Sequence, residues 1–264
     1  MKYMHFNSSC SYCAVAYILS SFNIEVEDTD IALKIGLPYI FAYEKGEYLA
    51  GPMLQSSKYF NLFLNPLGLT LKENCVKKDE LLGYINDRKN VMLGLKTDFG
   101  KHAVVLINRS NNLYSFFNPS WEESNQEKII NLSKEDLLSR VDGEIVVGEI
   151  KQTQKMTNDL ESVYRASLVN LEQYEKDILD FIDEDNDKEE YQKKLDVFFR
   201  PLLLDALSMM VLINNDEIAK TMKEAQTLLL DFIRDKAKLN VLLFREKICT
   251  IITKYKEIIK KQLN

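Results

Sequence analysis

The chain has 264 residues, of which 46% are hydrophobic, and a formal net charge of −6. This size supports one large domain or two smaller ones, and the acidic balance argues against general nucleic-acid binding, which needs a basic face. No apolar run reaches the roughly 20 residues of a membrane helix, and the first residues lack the apolar core of a signal peptide. Four Cys in such a chain make no disulfide framework, so we expect a cytoplasmic protein.

The first half of the chain is predicted to pack one helix on an antiparallel sheet. Residues 10–22 place apolar side chains at helical spacing, which predicts a short helix that ends near Asn23. Five apolar runs predict strands, at 91–96, 102–107, 113–117, 128–132 and 144–150. The polar residues 108–112 predict a hairpin turn between the second and third of these runs. A helix on such a sheet is the α+β layout.

The second half is predicted to be helical throughout. All nine Gly lie at or before Gly148, and the 116 residues after it contain a single Pro, Pro201. Gly and Pro mark turns and strand connections, so we place a boundary near 152, with an α+β domain at 1–152 and a helical domain at 153–264. Apolar residues recur there at helical spacing, and breaks near 183–190, 214–216 and 235–240 predict three to four antiparallel helices.

Three side chains are the candidate catalytic groups: a thiol at Cys10 or Cys13, the imidazole of His102 and the amide of Asn118. A thiolate attacks acyl carbons, a neighbouring His generates it, and an Asn or Asp fixes the tautomer of the ring. A Cys in the first turn of a helix gains from the helix dipole, which favours the thiolate. Taken singly, each residue is more often structural. Together, in this order and with a spacing that suits a hairpin, they predict a catalytic triad.

Two segments carry a resemblance to a known family. Residues 10–23 resemble the nucleophile helix of the bacteriocin-processing (double-glycine) cysteine peptidases, which are papain-like, and 102–106 with 118–119 resemble their His-strand and Asp-Pro signature, here with Asn for Asp. Asp28 and residues 36–43 resemble the N-terminal domain of the butirosin-pathway acyltransferases, and the pattern is also similar to closthioamide-type amide synthetases. The resemblance covers roughly residues 1–150 and implies a papain-like fold.

The identity of the nucleophile stays open between the two cysteines. The apolar pattern fits a helix that begins at Cys10 and ends near Asn23, which favours Cys10. The related peptidases carry an oxyanion-hole Gln six residues before the nucleophile, and counting back from Cys10 gives Met4, whereas counting back from Cys13 gives Asn7, an amide donor. We favour Cys10, with its own backbone N–H and the Asn7 side chain as candidate oxyanion donors. A thioester is more reactive than an amide and therefore reacts with a weaker oxyanion hole, which favours acyl transfer over proteolysis.

The resemblance therefore implies an amide-forming acyltransferase of natural-product (peptide antibiotic) biosynthesis. Its partners would be an acyl or peptidyl carrier protein with a phosphopantetheine-bound acyl chain, and a small amine acceptor; no nucleic acid, membrane or cofactor is expected. A soluble cysteine peptidase that cleaves a leader or small peptide is the alternative, and a non-catalytic binding module is a third reading.

Two further features are weighed against structural explanations. From Arg234 onward the chain carries nine Lys or Arg against three acids. This segment is either a solvated helix face or a dock for an acidic carrier protein, through Lys254, Lys256, Lys260 and Lys261. A zinc site at Cys10, Cys13 and His102 is disfavoured because further ligands are missing. Structural roles are expected for the remaining candidates, His5, Cys75 and Cys249.

Overall fold

We describe the protein from a computed structural model. The description covers residues 2–98, 100–110, 113–184 and 186–263. Contacts divide the chain into two compact units, each made of two stretches of sequence. The first unit comprises Met1–Ile35 and Gln55–Asn158, and the second comprises Gly36–Leu54 and Asp159–Asn264.

The helices and strands have the following bounds within the described residues. The α-helices are α1 Cys10–Ser20, α2 Asp28–Lys34, α3 Ser57–Leu64, α4 Leu81–Ile85, α5 Lys134–Ser139, α6 Leu160–Asp183, α7 Lys188–Lys193, α8 Leu207–Leu212, α9 Asp216–Ile233 and α10 Val241–Lys261. The strands are β1 Phe41–Glu44, β2 Glu47–Ala50, β3 Leu69–Lys77, β4 Val91–Thr97, β5 Gly100–Ser110, β6 Leu113–Phe117, β7 Ile129–Ser133 and β8 Glu144–Gln152. None of the helices described here has the length and apolar character that crossing a membrane requires.

One antiparallel sheet organises the first unit. Its strand order over the described residues is β3-β8-β4-β5-β6-β7. One core of the unit contains Leu93, Val104 and Phe116 from the sheet together with Leu137 of α5, all of them almost completely buried. Burial of such apolar side chains is the main favourable term in folding. The predicted α+β class, with the helical region after it, is confirmed.

Helix α1 packs against this sheet with most of its surface buried. The Tyr17 ring stacks on Phe117 of β6, with centroids 4.2 Å apart and planes 7° apart. After Ser20 the chain turns, and Asn23 takes the left-handed conformation with φ of 59°. Asn tolerates this conformation at helix ends. The helix predicted at 10–22 is therefore confirmed to within two residues.

All five predicted strands are present. The strand predicted at 102–107 is longer than expected and covers Gly100–Ser110. Residues 108–110 of the predicted turn belong to β5, which continues to Ser110, and residues 111–112 lie outside the described residues. Strand β3 and helices α2 to α5 were not anticipated from the sequence.

The second unit combines helices with a small hairpin. Strands β1 and β2 pair with each other through a turn in which Lys45 and Gly46 both have positive φ, 54° and 87°. The N–H of Phe41 donates to the Ser167 hydroxyl (3.1 Å), and its carbonyl accepts from the Asn170 amide (3.0 Å). The hairpin therefore belongs with α6, although the predicted boundary near 152 assigned it to the α+β domain. The prediction of two separate domains stays a prediction.

Pro201 interrupts one of the helical runs. On either side of Arg200, residues 195–199 and 201–206 form π-helical turns between α7 and α8. Proline lacks the N–H that donates in an α-helix, and π-helical turns occur where the regular pattern of backbone hydrogen bonds is interrupted. The described residues of 153–264 thus form four helical runs, where three to four helices were predicted.

Candidate active site

The Cys10 thiol lies at the first residue of α1. Ser8, two residues earlier, has φ of 59°, and the first intrahelical bond runs from the Cys13 N–H to the Ser9 carbonyl at 2.9 Å. The N–H groups at the start of a helix have no intrahelical partner, and they favour negative charge. Cys10 thus lies where a thiolate is stabilised, with 7% of its surface exposed.

Groups from β5 reach the sulfur. The Cys10 thiol interacts electrostatically with the side chain of His102, the backbone of Ala103 and the side chain of Ser11. Burial by itself would raise the pKa of the Cys10 thiol, but the hydrogen bond and charge of His102, with help from Ala103 and Ser11, hold this pKa below its ordinary value. The surroundings therefore favour the thiolate that nucleophilic attack requires.

His102 is held between the thiol and Asn118. Its Nε2 lies 3.0 Å from Oδ1 of Asn118, sixteen residues further along the chain. The Asn118 amide nitrogen donates to the Glu127 carbonyl at 2.8 Å, which fixes the orientation of the amide. Because Oδ1 only accepts, Nε2 carries a proton, and Nδ1 is the nitrogen that exchanges a proton with the sulfur. The amide oxygen of Asn118 therefore faces the His102 ring, and its role in a catalytic triad stays a prediction.

The charged form of the ring is favoured as well. Burial would lower the pKa of His102, but the contact with Cys10 and the hydrogen bonds to Asn118 and the Pro119 backbone raise it overall. The thiol and the imidazole thus shift in opposite directions, and each favours its charged form. A thiolate and an imidazolium side by side form the activated nucleophile in cysteine-dependent acyl transfer generally.

Cys13 has the opposite surroundings. Its side chain is completely buried. Burial and the nearby carboxylates of Asp28 and Glu27 raise the pKa of the Cys13 thiol far above its ordinary value. An apolar site near negative charge suppresses thiolate formation. Geometry and electrostatics therefore favour Cys10 over Cys13 as the nucleophile.

The candidate oxyanion donors have different surroundings. The Met4 N–H donates to the Ser120 carbonyl at 3.1 Å, so the backbone of Met4 is used in the fold. Asn7, the amide donor considered for this role, is exposed.

His5, the other histidine of the chain, pairs with the fully buried Asp28. The ring Nδ1 lies 2.7 Å from the Asp28 carboxylate, which also accepts a hydrogen bond from the His5 backbone N–H at 2.8 Å.

The comparisons with known proteins give a distant likeness to solved structures. No protein-family model matches the sequence, and no curated protein matches it. Among solved structures, the fold is similar to the peptidase domain of Streptococcus ComA, described as a bi-functional ABC transporter involved in a quorum sensing pathway. The TM-score is 0.40 and the identity 15%, over 58% of this chain and 97% of that domain. A likeness this distant assigns neither activity nor substrate.

Outside the site, the other candidates have local partners. Cys75 on β3 is exposed and hydrogen-bonds Glu144 at 3.1 Å, and Cys249 is partly buried on α10. Across the residues that the structure describes, no three or more His, Cys, Asp or Glu are arranged to hold a metal ion.

Two of the four candidate docking lysines form ion pairs inside the second unit. Lys254 contacts Glu217 at 2.6 Å, and Lys256 contacts Glu175 at 2.5 Å. Their charges are therefore partly neutralised by the chain itself. Docking of a carrier protein on this face stays a prediction.

Several contributors to the site were not predicted from sequence. The pKa of Cys10 is also lowered by the side chain of Ser11 and the backbone of Ala103, and Gln55, in a loop 44 residues further along the chain, accepts a hydrogen bond from Ser11. Ser11 directly follows the nucleophile, which is the only signal that its position offered. The position of Gln55 offered none, since the fold alone brings it to the start of α1.

Proposed function

We propose that this chain is a cysteine-dependent acyltransferase that forms amides through an acyl-Cys10 intermediate. The observation that carries the proposal is the contact of the Cys10 thiol with His102, whose ring is oriented by Asn118. Peptidases and acyltransferases both use such an arrangement. The choice between them rests on the oxyanion site and on the sequence resemblance.

The proposed reaction has two acyl-transfer steps. In the first, the Cys10 thiolate attacks the carbonyl carbon of a carrier-protein thioester, the bond to the carrier sulfur breaks, and the carrier thiol leaves with the proton from His102. In the second, an amine attacks the acyl-Cys10 carbonyl while Nδ1 of His102 accepts its proton. The Cys10 sulfur departs as the thiolate, so the enzyme returns to its initial state. The products are an amide and the free carrier thiol.

The oxyanion site favours a thioester as the substrate. No side-chain amide stands at Met4, the position of the Gln in the related peptidases, and Asn7 is exposed. The loss of one oxyanion donor typically slows acyl transfer about 10²–10³-fold. A thioester is intrinsically more reactive than a peptide bond and tolerates this deficit. The proposed donor is therefore a phosphopantetheine-bound acyl chain on a carrier protein, and the acceptor is a small amine.

Mass spectrometry of the intact chain tests the proposal. The purified protein is mixed with an acyl-loaded carrier protein, and separately with an acyl N-acetylcysteamine thioester, and the acylated residue is located by peptide mapping. We expect one acyl group on Cys10 that a primary amine discharges as an amide. Mapping is needed because Cys75 is exposed and offers a site for unspecific acylation.

Two single substitutions provide the matched control. Cys10→Ala should abolish the adduct, whereas Cys13→Ala should retain it. Cleavage of peptides without any thioester-derived adduct would identify a peptidase instead and overturn the acyltransferase proposal. Absence of both activities, together with an unreactive Cys10, would indicate a binding module.

A further inference from the structure

The turn that follows β6 carries Asn118 and is held by the residues that precede β7. The Asn118 N–H donates to the Lys128 carbonyl at 2.8 Å, and its side-chain amide donates to the Glu127 carbonyl at 2.8 Å. The next residue, Pro119, has no N–H and adds no hydrogen bond of that kind. The Asn118 Oδ1 lies 3.0 Å from Nε2 of His102. The position of this oxygen therefore depends on how the turn is held.

The Lys128 side chain reaches back over the same turn. Its ammonium donates to the Ser120 hydroxyl at 2.7 Å and to the Trp121 carbonyl, and it lies 4.6 Å from the centre of the Tyr3 ring. An ammonium has three N–H donors, and the face of an aromatic ring attracts a cation. The ammonium thus meets a hydroxyl, a carbonyl and a ring face, which are three neighbours for three donors.

The neighbours of this ammonium are all neutral. Within the part of the chain that the structure describes, Lys128 forms no ion pair, although the protein has 40 Asp and Glu against 34 Lys and Arg. Hydrogen bonds from an ionised donor are roughly twice as strong as those between neutral groups. The contacts of Lys128 therefore hold the turn, whereas an ordinary surface ion pair would mainly neutralise its charge.

The same contacts join the turn to the segment that leads to Cys10. The Met4 N–H donates to the Ser120 carbonyl at 3.1 Å, directly after the Tyr3 ring that Lys128 contacts. The segment then leads to α1, which begins at Cys10. Lys128 therefore contacts both the turn that carries the orienting amide and the segment before the proposed nucleophile.

We propose that Lys128 is a positioning residue of the site: its ammonium holds the turn of residues 118–121 so that the Asn118 amide oxygen faces the ring of His102. This inference rests on the proposed roles of Cys10, His102 and Asn118 in acyl transfer. The described contacts of Lys128 lead to the turn and to the N-terminal segment. Lys128 thus acts through Asn118 and not on the reacting atoms.

Removal of the ammonium separates orientation from charge by the sign of one change. Lys128→Met keeps the side-chain length and the backbone hydrogen bonds to Asn118. Loss of a positive charge alone would raise the pKa of His102, because a nearby cation disfavours the imidazolium. A weaker bond to Asn118 lowers this pKa, since that bond raises it in the intact site. We expect the second effect, with the titration midpoint of His102 at lower pH and Cys10 labelling near neutral pH slower by roughly two- to tenfold, the effect of one hydrogen bond.

The test combines NMR titration of His102 in the full chain with iodoacetamide labelling of Cys10, located by peptide mapping. Lys128→Arg keeps the charge and carries N–H donors, so it should restore most of what Lys128→Met loses. Lys151→Met is the matched control, because it removes a half-exposed ammonium from β8 in the same unit. It should change neither the titration nor the labelling.

Variants at two neighbours of the ammonium provide a second test that leaves Lys128 intact. Ser120→Ala removes one acceptor, while the Ser120 carbonyl keeps its bond to Met4. The midpoint of His102 should move in the same direction as in Lys128→Met, by a smaller amount. Tyr3→Leu removes the ring face and should also lower the midpoint, whereas Tyr3→Phe retains the ring face and should shift it less.

The Asn118→Ala background distinguishes positioning from general stabilisation. Because Lys128 acts through Asn118, Lys128→Met should add little to the change in His102 titration once the amide is absent. A role in stability alone would lower the free energy of unfolding in both backgrounds and leave the midpoint of folded Lys128→Met at its wild-type value, which would overturn the inference.

The failure of this inference differs from the failure of the proposed function. A His102 midpoint that rises or stays constant in folded Lys128→Met, while Asn118→Ala lowers it, overturns the role of Lys128 alone. A wild-type Cys10 that labels no faster than Cys10 in His102→Ala overturns its role as an activated nucleophile, and the inference falls with it.

Discussion

Replacement of Asn118 tests whether the ring of His102 is held and charged as the structure indicates. Asn118→Ala removes the Oδ1 that lies 3.0 Å from Nε2. A hydrogen bond to a charged group contributes about 1.5–3 kcal/mol. The loss of this amount from the imidazolium corresponds to roughly a ten- to hundredfold decrease in Cys10 reactivity near neutral pH. Asn118→Asp, by contrast, supplies a carboxylate, which stabilises the imidazolium further.

The sign of the pKa change distinguishes the two variants. The bond to Asn118 is one of the contributions that raise the pKa of His102, so Asn118→Ala should lower this pKa and Asn118→Asp should raise it. The chain contains only two His, so NMR titration of the imidazole nitrogens follows His102 directly, with His5 as the internal reference. Labelling of Cys10 with iodoacetamide reports the matching change in reactivity.

Asn131 provides the matched control for these measurements. It accepts a hydrogen bond from the Ser115 hydroxyl at 2.6 Å on the exposed side of the sheet, and Asn131→Ala should change neither the titration of His102 nor the labelling of Cys10. An Asn118→Ala variant with unchanged His102 titration and unchanged Cys10 reactivity would refute the triad reading, because the amide would then be only a turn residue.

Three further predictions concern the two units. Cys13→Ala should leave the rate of Cys10 labelling within about threefold of wild type. Because it removes one buried group about the size of a methylene, it should lower the free energy of unfolding by about 1 kcal/mol. Loss of labelling with the fold intact would identify Cys13 as the nucleophile. In urea unfolding, Gly36→Ala should destabilise the chain more than Gly46→Ala. Both glycines have positive φ, but of the two only Gly36 has a neighbour that an added Cβ would meet, the Tyr164 hydroxyl at 1.8 Å. Equal losses of unfolding free energy would contradict this packing. Burial raises the pKa of Asp205 to about 7, so the folded state retains its proton above the unfolded pKa, and stability should fall as pH rises from about 4 to 7. Asp205→Asn should abolish that part of the fall, and an identical pH profile in the variant would show that the carboxyl is ionised throughout.

The parts of the fold that were predictable depend on local pattern. The strand at 113–117 was predicted with its exact bounds, because its apolar run is ended by polar turn residues on one side and by Asn118-Pro119 on the other. Strand β3 was missed, since Lys72, Glu73 and Asn74 interrupt its apolar residues. It is an edge strand, and edge strands commonly carry charges.

The hairpin of β1 and β2 shows what local pattern does not reveal. Phe41 is buried against Tyr174, with ring centroids 4.9 Å apart, and its backbone bonds lead to α6. Its structural role depends on residues more than a hundred positions away, and a four-residue strand gives little periodic signal of its own. For this reason the local pattern placed residues 36–54 with the α+β residues, whereas contacts group them with α6.

The candidate site divides in the same way. Cys10, His102 and Asn118 were predicted as a triad because their chemistry, order and spacing belong together, and this role stays a prediction. The sequence favoured Cys10 over Cys13 from the start of the helix, and the structure adds the electrostatic reason, since only the fold places Asp28 beside Cys13. Gln55 was out of reach because no spacing rule links it to Ser11.

The division of each unit between two stretches of chain has a consequence for biosynthesis. During translation, Phe41 leaves the ribosome 126 residues before Ser167, to which its N–H is hydrogen-bonded in the finished protein. At roughly 5–20 residues per second this interval lasts on the order of ten seconds. Throughout it, the apolar residues of the β1–β2 hairpin lack their partners on α6 and are exposed to aggregation or to chaperones. Fragments truncated near residue 152 would remain permanently in that state, so expression of the first 152 residues alone should give poorly soluble protein unless residues 36–54 are also replaced by a short polar linker.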